Sequence, residues 1–385
     1  MPSPTRRSFL SAAAACAATS LVVTPAVTPA AAHAARAPSR RGKLKILVLG
    51  GTSFLGPAVV RPALANGHEL TLFNRGKTNP QLFPEVEKLQ GQRRRPHPDR
   101  PNSPPQDLKS LEGRDWDAVV DTSGYFTGEV EDVCKVLAGH SKRYVYISSL
   151  SVYPDLGVND LPIDESSRLA ECADKYVQDM GKDYANYGGL KRHCEDAVAA
   201  AFPDGAVLVR PGYIVGPTDP TDRFTAWPAR FLRGGECLAP GDPDNDLQFV
   251  DVRDLGAWIV HLLEQGTTGA FNAVGFDGAI NTAEFLHTGK GAVNHKCSFT
   301  WVSDEFLLAN EVSSWGEMGC WTPKKMNGHT SNAKAIAAGA RFRPIAETIR
   351  DTADWVREGR GNGEWRAGMK AEREADLLAK WKKRG

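Results

Sequence analysis

A glycine-rich segment near the front of the chain most constrains the fold. Residues 50–56 read GGTSFLG, and they follow an apolar stretch at 43–49 that predicts a strand. A helix is predicted at 57–65 and a second strand at 68–73, so the order is strand, glycine turn, helix, strand. Predicted strands and helices keep alternating up to residue 210. The sequence therefore predicts the α/β class, with a Rossmann-like doubly wound parallel sheet and a smaller mixed C-terminal lobe.

A tyrosine and a lysine lie one helical turn apart on a later predicted helix. Tyr187 and Lys191 are four residues apart, which places both on one face of the helix. The lysine ammonium is expected to lower the pKa of the tyrosine, so that the tyrosine can take a proton from an alcohol. Ser149 ends a strand predicted over 143–149 and is placed to hold the alcohol oxygen. The spacing alone recurs on many helices, but together with the glycine turn and the serine strand it predicts hydride transfer on a nicotinamide.

These motifs resemble the extended short-chain dehydrogenase/reductase family, in its NAD-dependent epimerase/dehydratase group. The resemblance spans roughly residues 44–357 and includes the triplet RPG at 210–212 and the segment FVDVRDL at 249–255. It implies three catalytic residues: Ser149, Tyr187 and Lys191. It also implies a dinucleotide site made of the following residues: Gly50, Thr52, Ser53, Phe54, Leu55, Gly56, Asn74, Arg75, Thr122, Ser123, Gly124, Ser148, Tyr187, Lys191, Pro211, Gly212 and Tyr213.

The end of the second predicted strand bears on the choice between NADP and NAD. NAD-preferring members of the family usually carry an acid where this chain has Asn74, to bind the ribose 2′-hydroxyl. Arg75 and Lys77 follow and could neutralise a 2′-phosphate. The resemblance therefore favours NADP over NAD, unless both cations face water. Ser53 stands where the family usually has glycine and adds a hydroxyl donor.

Three departures from the family pattern concern the substrate. Leu150 and Ser151 follow the catalytic serine where dehydratases of sugar nucleotides have an acidic pair. Leu247 replaces an arginine that usually binds the diphosphate, and Tyr213 replaces a common asparagine. The substrate expected from these changes is a small molecule of carbohydrate type, such as a free sugar, glycoside or polyol, rather than a nucleotide sugar.

Epimerisation through transient oxidation, with a tightly bound cofactor, is the outcome that the resemblance favours. Two alternatives stay open. The first is an oxidoreductase that alternates between two substrates. The second is a non-catalytic relative that senses nucleotides or binds RNA, although the complete set of serine, tyrosine and lysine argues against it.

The N-terminus predicts export by the twin-arginine route. Residues 5–10 read TRRSFL, and an alanine-rich apolar stretch follows to Ala34. Pro25 and Pro29 interrupt this stretch, which argues against an uncleaved membrane anchor. Residues 1–34 are therefore predicted to be a signal peptide, and the mature protein is predicted to be periplasmic or otherwise exported. Because this route carries folded proteins, the cofactor is expected to be inserted beforehand and to stay bound.

Composition and length set the remaining expectations. The chain has 385 residues and a net charge of +1, which gives no electrostatic case for nucleic acid or an anionic membrane as partner. Its seven cysteines show no paired metal-ligand spacing, so no metal site is predicted. Three parts are predicted after the signal: a dinucleotide-binding domain at 35–216, a partly interleaved substrate lobe at 217–357 and a charged helical tail at 358–385. Apolar residues of the tail favour packing within the chain over a homodimer contact, and a basic run at 93–95 is interpreted as a solvated loop.

Overall fold

The computed structural model of the protein describes residues 42–97, 102, 104–156, 162–314, 316–323, 329–360 and 364–384. The predicted signal at 1–34 lies outside these ranges. No helix within them is long and apolar enough to cross a lipid bilayer. The domain boundaries at 216 and 357 stay predictions.

Thirteen strands and ten helices make up the described part of the chain. The strands are β1 (Lys45–Leu49), β2 (Glu69–Asn74), β3 (Glu87–Gln90), β4 (Ala118–Asp121), β5 (Tyr144–Ile147), β6 (Ala206–Pro211), β7 (Tyr213–Val215), β8 (Gly235–Pro240), β9 (Asp246–Leu247), β10 (Phe249–Asp251), β11 (Gly269–Ala273), β12 (Ile280–Asn281) and β13 (Cys297–Val302). The helices are α1 (Leu55–Ala65), α2 (Thr127–Leu137), α3 (Tyr187–Ala201), α4 (Ala226–Arg233), α5 (Val252–Gln265), α6 (Thr282–Val293), α7 (Asp304–Ala309), α8 (Ala333–Ala337), α9 (Ile345–Arg357) and α10 (Ala371–Lys382).

Seven strands form one parallel sheet with the order β11-β6-β5-β4-β1-β2-β3. Helices cover both faces, since one apolar core packs α1, α5 and α8 on the sheet and another packs α2 and α3 on the opposite face. Buried parallel strands are expected to be apolar on both sides, and Leu47 and Val48 of β1 are buried in the two different cores. The predicted doubly wound sheet is therefore confirmed.

A smaller lobe with its own apolar core follows the sixth strand of the sheet. The lobe contains the parallel pairs β8–β13 and β7–β10 and the antiparallel pair β9–β12. Its core is rich in aromatic rings. The ring centroid of Phe285 lies 5.9 Å from that of Phe224 and 6.1 Å from that of Phe231.

The C-terminal tail packs within the chain. Leu377 of α10 is fully buried in the core of the smaller lobe, and the Trp381 ring lies 4.9 Å from the ring of Phe306. Glu374 is buried as well and forms an ion pair of 2.7 Å with Arg230 of α4. The helix is thus part of the lobe rather than a charged appendage.

The basic run at 93–95 is not a solvated loop, and this prediction is wrong. The side chain of Arg93 is buried, because its guanidinium makes two hydrogen bonds of 2.6 and 2.9 Å with the buried carboxylate of Asp121 at the end of β4. Arg95 forms an ion pair with Asp132 of α2 at 2.6 Å. The preceding edge strand, β3, was also missed, since its sequence EKLQ has no apolar pattern.

Candidate active site

One cleft of about 860 Å³ lies at the carboxyl ends of the sheet strands and extends onto the smaller lobe. All but two of the predicted dinucleotide-site residues line it: Gly50, Thr52, Ser53, Phe54, Leu55, Asn74, Arg75, Thr122, Ser123, Ser148, Tyr187, Lys191, Pro211, Gly212 and Tyr213. The predicted catalytic residue Ser149 lines it too. The two exceptions are Gly56, which packs against the backbone of Gly51, and Gly124, whose carbonyl accepts hydrogen bonds from Lys191 and Tyr146. The carboxyl edge of a parallel sheet is where ligands bind in folds of this kind.

The glycine turn joins β1 to α1 through an unusually close approach. Gly51 has a φ of +89°, which favours glycine, and a Cβ atom at Gly56 would lie only 2.5 Å from the carbonyl carbon of Gly51. Helix α1 has no acidic residue in its first turn and no side chain that caps it. Its first N–H groups and its dipole therefore suit an anionic group such as a pyrophosphate.

Asn74 at the end of β2 braces the glycine turn. Its amide nitrogen donates to the carbonyl of Gly50 at 3.0 Å, and its amide oxygen accepts from the N–H of Gly76 at 2.8 Å. The side chain lines the cleft, but its two polar atoms are already used within the protein. Arg75 and Lys77 are exposed on the cleft wall, where they can meet a phosphate group.

A buried ion pair forms part of the cleft next to β4. Arg93 binds Asp121, as described, and also donates to the hydroxyl of Ser123 at 3.1 Å. Asp121 in turn accepts from the Tyr144 hydroxyl at 2.8 Å, and the charge of Arg93 is the main influence that lowers the pKa of Asp121 against the opposing effect of burial. Arg93 and Arg94 were not predicted as lining residues. The sequence feature that could have indicated Arg93 is Asp121, because an acid at the end of a buried strand is expected to pair with a cation.

Ser149 and Tyr187 both line the cleft, next to the end of β5 and at the start of α3. Ser149 caps a short 3₁₀ turn at 150–152 by accepting from the N–H of Ser151 at 3.1 Å, and its hydroxyl lies 3.1 Å from that of Ser151. Gly188 lets α3 approach this turn closely, because a Cβ atom there would lie 2.1 Å from the carbonyl oxygen of Ser151. The predicted serine and tyrosine are thus brought together by the structure.

Lys191 is buried below the tyrosine. Its ammonium donates to the carbonyls of Gly124 and Ile147 at 2.8 and 2.6 Å, and it lies 4.3 Å from the centroid of the Tyr146 ring. Burial lowers the pKa of Lys191 to about 8. The lysine therefore ties together the ends of β4 and β5 on both sides of the cleft floor.

The expectation that Lys191 lowers the pKa of Tyr187 is not met. Burial raises the pKa of Tyr187 to about 12, because a phenolate is poorly solvated there. The neighbouring Ser149 side chain and the charge of Arg223 lower the pKa of Tyr187 and offset only part of this rise. The ammonium of Lys191 is instead directed to two backbone carbonyls.

Ser148 supplies a separate observation that fits a bound cofactor. Its hydroxyl oxygen is buried and has no hydrogen-bond partner in the part of the chain that the structure describes, although Ser148 lines the cleft. Buried polar groups in proteins are normally paired, so a ligand atom would complete this one. Together with the uncapped N-terminus of α1, this hydroxyl suits a dinucleotide that runs from the glycine turn to Tyr187.

Loops of the smaller lobe close the other end of the cleft. The lining residues there include Asp219, Arg223, Gln248, Cys320 and Thr322, none of which was predicted. Tyr213 also lies there, with the guanidinium of Arg223 4.5 Å from its ring centroid. These residues are distant in sequence from the recognised motifs. From the sequence alone, polar residues at these positions predict only solvent-exposed turns.

Residues 114–274 match the sequence model of the NAD dependent epimerase/dehydratase family. The resemblance to this family is therefore confirmed for that segment, which includes Ser149, Tyr187 and Lys191. The chain is also similar in structure to UDP-N-acetylglucosamine 4-epimerase of Bacillus cereus, with a TM-score of 0.58, 17% identity, and coverage of 82% of this chain and 100% of that one. UDP-glucuronic acid 4-epimerase of the same organism, in complex with NAD, gives a TM-score of 0.58 at 14% identity, with coverage of 82% and 100%. At these identities the likeness shows the fold alone.

A relative of another kind is similar in sequence. The chloroplast stem-loop binding protein of 41 kDa b of Arabidopsis thaliana is 27% identical over 259 residues. The matched region covers 62% of this chain and 62% of the length of that protein.

Proposed function

We propose that the protein is an NAD(P)-dependent enzyme that transiently oxidises a carbinol of a sugar or polyol, with epimerisation as the net reaction. The observation that carries this proposal is that Ser149, Tyr187 and the glycine turn line one cleft. A protein that only binds nucleotides has no need for this pair. The match of residues 114–274 to the epimerase/dehydratase family supports the same chemistry.

The chain's own residues have distinct parts in this reaction. A bound nicotinamide supplies a hydride acceptor and a positive charge that favours the phenolate of Tyr187. Ser149 holds the substrate oxygen, and Tyr187 takes the hydroxyl proton and later returns it. Lys191 positions the carbonyls of Gly124 and Ile147, and with them the ends of β4 and β5 at the floor of the cleft.

The cofactor that we propose is NADP, with NAD as the alternative. Asn74 is uncharged and does not repel a 2′-phosphate. Its side chain is held in place by hydrogen bonds with Gly50 and Gly76. Arg75 and Lys77 lie exposed on the same wall of the cleft and form no hydrogen bond or ion pair with the described residues. Both cations are therefore available to a phosphate.

The decisive experiment replaces the phenolic oxygen alone. Tyr187→Phe should fold and bind dinucleotide normally, while the chemical step falls about 10²- to 10⁴-fold, the range for one positioned acid–base group. Tyr184→Phe is the matched control, because Tyr184 is exposed and contacts Tyr187 edge to face at 6.5 Å. Formation of the epimer from sugars and polyols, followed by NMR, gives the readout. Normal epimerisation by Tyr187→Phe would overturn the proposal.

We also propose export by the twin-arginine route, from the pattern at Arg6 and Arg7. Replacing both residues with lysine should keep the protein in the cytoplasm, as cell fractionation can measure. Unchanged export would contradict this. Protein purified from either compartment should carry a dinucleotide, which mass spectrometry after denaturation would detect.

Binding of a nucleic-acid stem-loop is a second candidate function. The similarity to the Arabidopsis stem-loop binding protein favours it, and weakens the expectation that nucleic acid is no partner. Arg75, Lys77 and Arg94 line the cleft and could contact phosphates. A salt-dependent gel shift with a defined stem-loop RNA, lost in the triple alanine variant, would support this candidate. Absence of binding at low salt would reject it.

A further inference from the structure

A buried carboxylate lies in the part of the cleft formed by the smaller lobe. Asp219 follows β7, is only 2% exposed and lines the cleft. Its Oδ1 accepts from the N–H and the hydroxyl of Thr221 at 2.8 and 2.7 Å. Its Oδ2 is buried and has no hydrogen-bond partner among the residues that the structure describes. One oxygen of this carboxylate is thus fixed within the protein and the other lacks a donor.

The loop that carries Asp219 is anchored at the residues that follow it. Asp222 is buried and accepts from the guanidinium of Arg360 at 2.8 Å and from the N–H of Arg366 at 3.0 Å. Arg223 donates from its Nε to the hydroxyl of Thr221 at 3.1 Å. The position of the carboxylate is therefore set by the fold before any ligand arrives, which is the arrangement expected of a binding group.

The carboxylate belongs to the same site as the reacting tyrosine. Arg223 lies over the Tyr213 ring, lines the cleft, and its charge lowers the pKa of Tyr187 against the larger effect of burial. Burial is also the main reason why the pKa of Asp219 is raised, since a carboxylate oxygen without a donor is poorly stabilised. A ligand that donated a hydrogen bond to Oδ2 would relieve this cost.

We propose that Asp219 binds a hydroxyl group of the substrate and thereby selects an uncharged, polyhydroxylated molecule. This inference rests on the proposed function and adds the residue that recognises the substrate. Such a substrate carries several hydroxyl groups, and one of them donates a hydrogen bond to Oδ2 of Asp219. A phosphate or diphosphate at the same place would meet a negative charge and has no proton to donate, so the carboxylate disfavours nucleotide sugars.

The test measures binding rather than turnover. Full-length protein as purified is titrated by calorimetry with a panel of methyl glycosides and cyclitols, with their monodeoxy analogues, and with UDP-glucose. The best neutral ligand should lose about 10- to 100-fold in affinity when one particular hydroxyl is removed, the range for a hydrogen bond to a charged group. Asp219→Ala should bind the parent ligand about as weakly as wild type binds that deoxy analogue, and should no longer distinguish the two.

Two further variants make the outcome specific. Asp219→Asn keeps an oxygen for Thr221 and should preserve folding; because its amide N–H can donate to a hydroxyl, it should lower the discrimination without abolishing it. Asp244→Ala removes a charge from an exposed turn of the same lobe and should discriminate like wild type. Full discrimination in Asp219→Ala, no binding of any neutral ligand, or tighter binding of UDP-glucose than of the glycosides would overturn the inference.

The same experiment separates this inference from the proposed function. Tyr187→Phe should still distinguish the parent ligand from its deoxy analogue, because Asp219 is intact. If Asp219 governs discrimination but no protein forms an epimer, the subsite stands and the catalytic proposal fails. If epimerisation depends on Tyr187 while discrimination does not depend on Asp219, the catalytic proposal stands and the subsite fails.

Discussion

Replacing Lys191 with methionine should remove a pH dependence from the stability of the nucleotide-free protein. Burial lowers the pKa of Lys191 from 10.5 to about 8. Between these two values the unfolded chain holds a proton on Lys191 that the folded protein has lost. Folding then releases a proton, so the free energy of unfolding rises with pH through this window and is lowest below pH 8.

The size of the effect follows from the shift in pKa. One pKa unit corresponds to about 1.4 kcal/mol, so the buried ammonium costs the folded state about 3 kcal/mol below pH 8. About 2 kcal/mol of this cost should disappear between pH 7 and pH 9.5, because the folded protein loses the proton over that range while most unfolded chains keep it. The methionine variant lacks this change, although the carbonyls of Gly124 and Ile147 lose their donor.

Urea unfolding at the two pH values measures the difference directly. The quantity to compare is the change in unfolding free energy from pH 7 to pH 9.5, because the other titrating groups contribute equally to wild type and variant. Lys182→Met, at an exposed position just before the same helix, should behave like wild type. If Lys191→Met shows the same change with pH as wild type, Lys191 is not buried as an ammonium and its assigned position is wrong.

Three other substitutions test separate parts of the site. Gly56→Ala should abolish dinucleotide binding in a titration, since its Cβ would lie 2.5 Å from Gly51, and retained affinity would contradict the tight turn. Arg75→Ala should weaken NADP relative to NAD by about 1–3 kcal/mol, the scale of a charge-assisted hydrogen bond, and an unchanged ratio of the two dissociation constants would remove the argument for NADP. Glu195→Gln should lower the free energy of unfolding by about 3–5 kcal/mol in urea, because it leaves the buried guanidinium of Arg210, now 2.6 Å from a carboxylate oxygen, without a counter-charge, whereas wild-type stability would show that the pair is solvated.

The large sheet could be predicted because its strands carry a local signal. β1, β4 and β5 are short runs of buried apolar residues, and each is followed by a turn or helix start. β3 has no such run and lies at the edge of the sheet, so only its pairing with β2 makes it a strand. The small strands β8 and β13 pair across more than fifty residues, a distance that sequence periodicity does not reach.

The candidate site was predictable where a residue's role follows from its own motif. Ser149, Tyr187 and Lys191 belong to one pattern, and all three line the cleft. A run of arginines predicts a solvent-exposed loop, and this prediction is wrong for Arg93. Its partner, Asp121, lies 28 residues away, so the local sequence does not reveal the ion pair. The same limit applies to Asp219, which reads as a turn residue until the buried position of its Oδ2 is known.

Helix α10 sets a condition on when the smaller lobe can complete its core. Glu374 of α10 accepts from the N–H of Leu238 in β8 at 3.1 Å, and Leu377 fills the core beneath that strand. At ordinary rates of translation, the ribosome reaches α10 roughly 7 to 30 s after it has made β8. The lobe therefore stays open for the last third of synthesis, and nascent chains should need protection from aggregation until the final helix is released. A chain that ends before residue 371 would carry that open apolar core permanently.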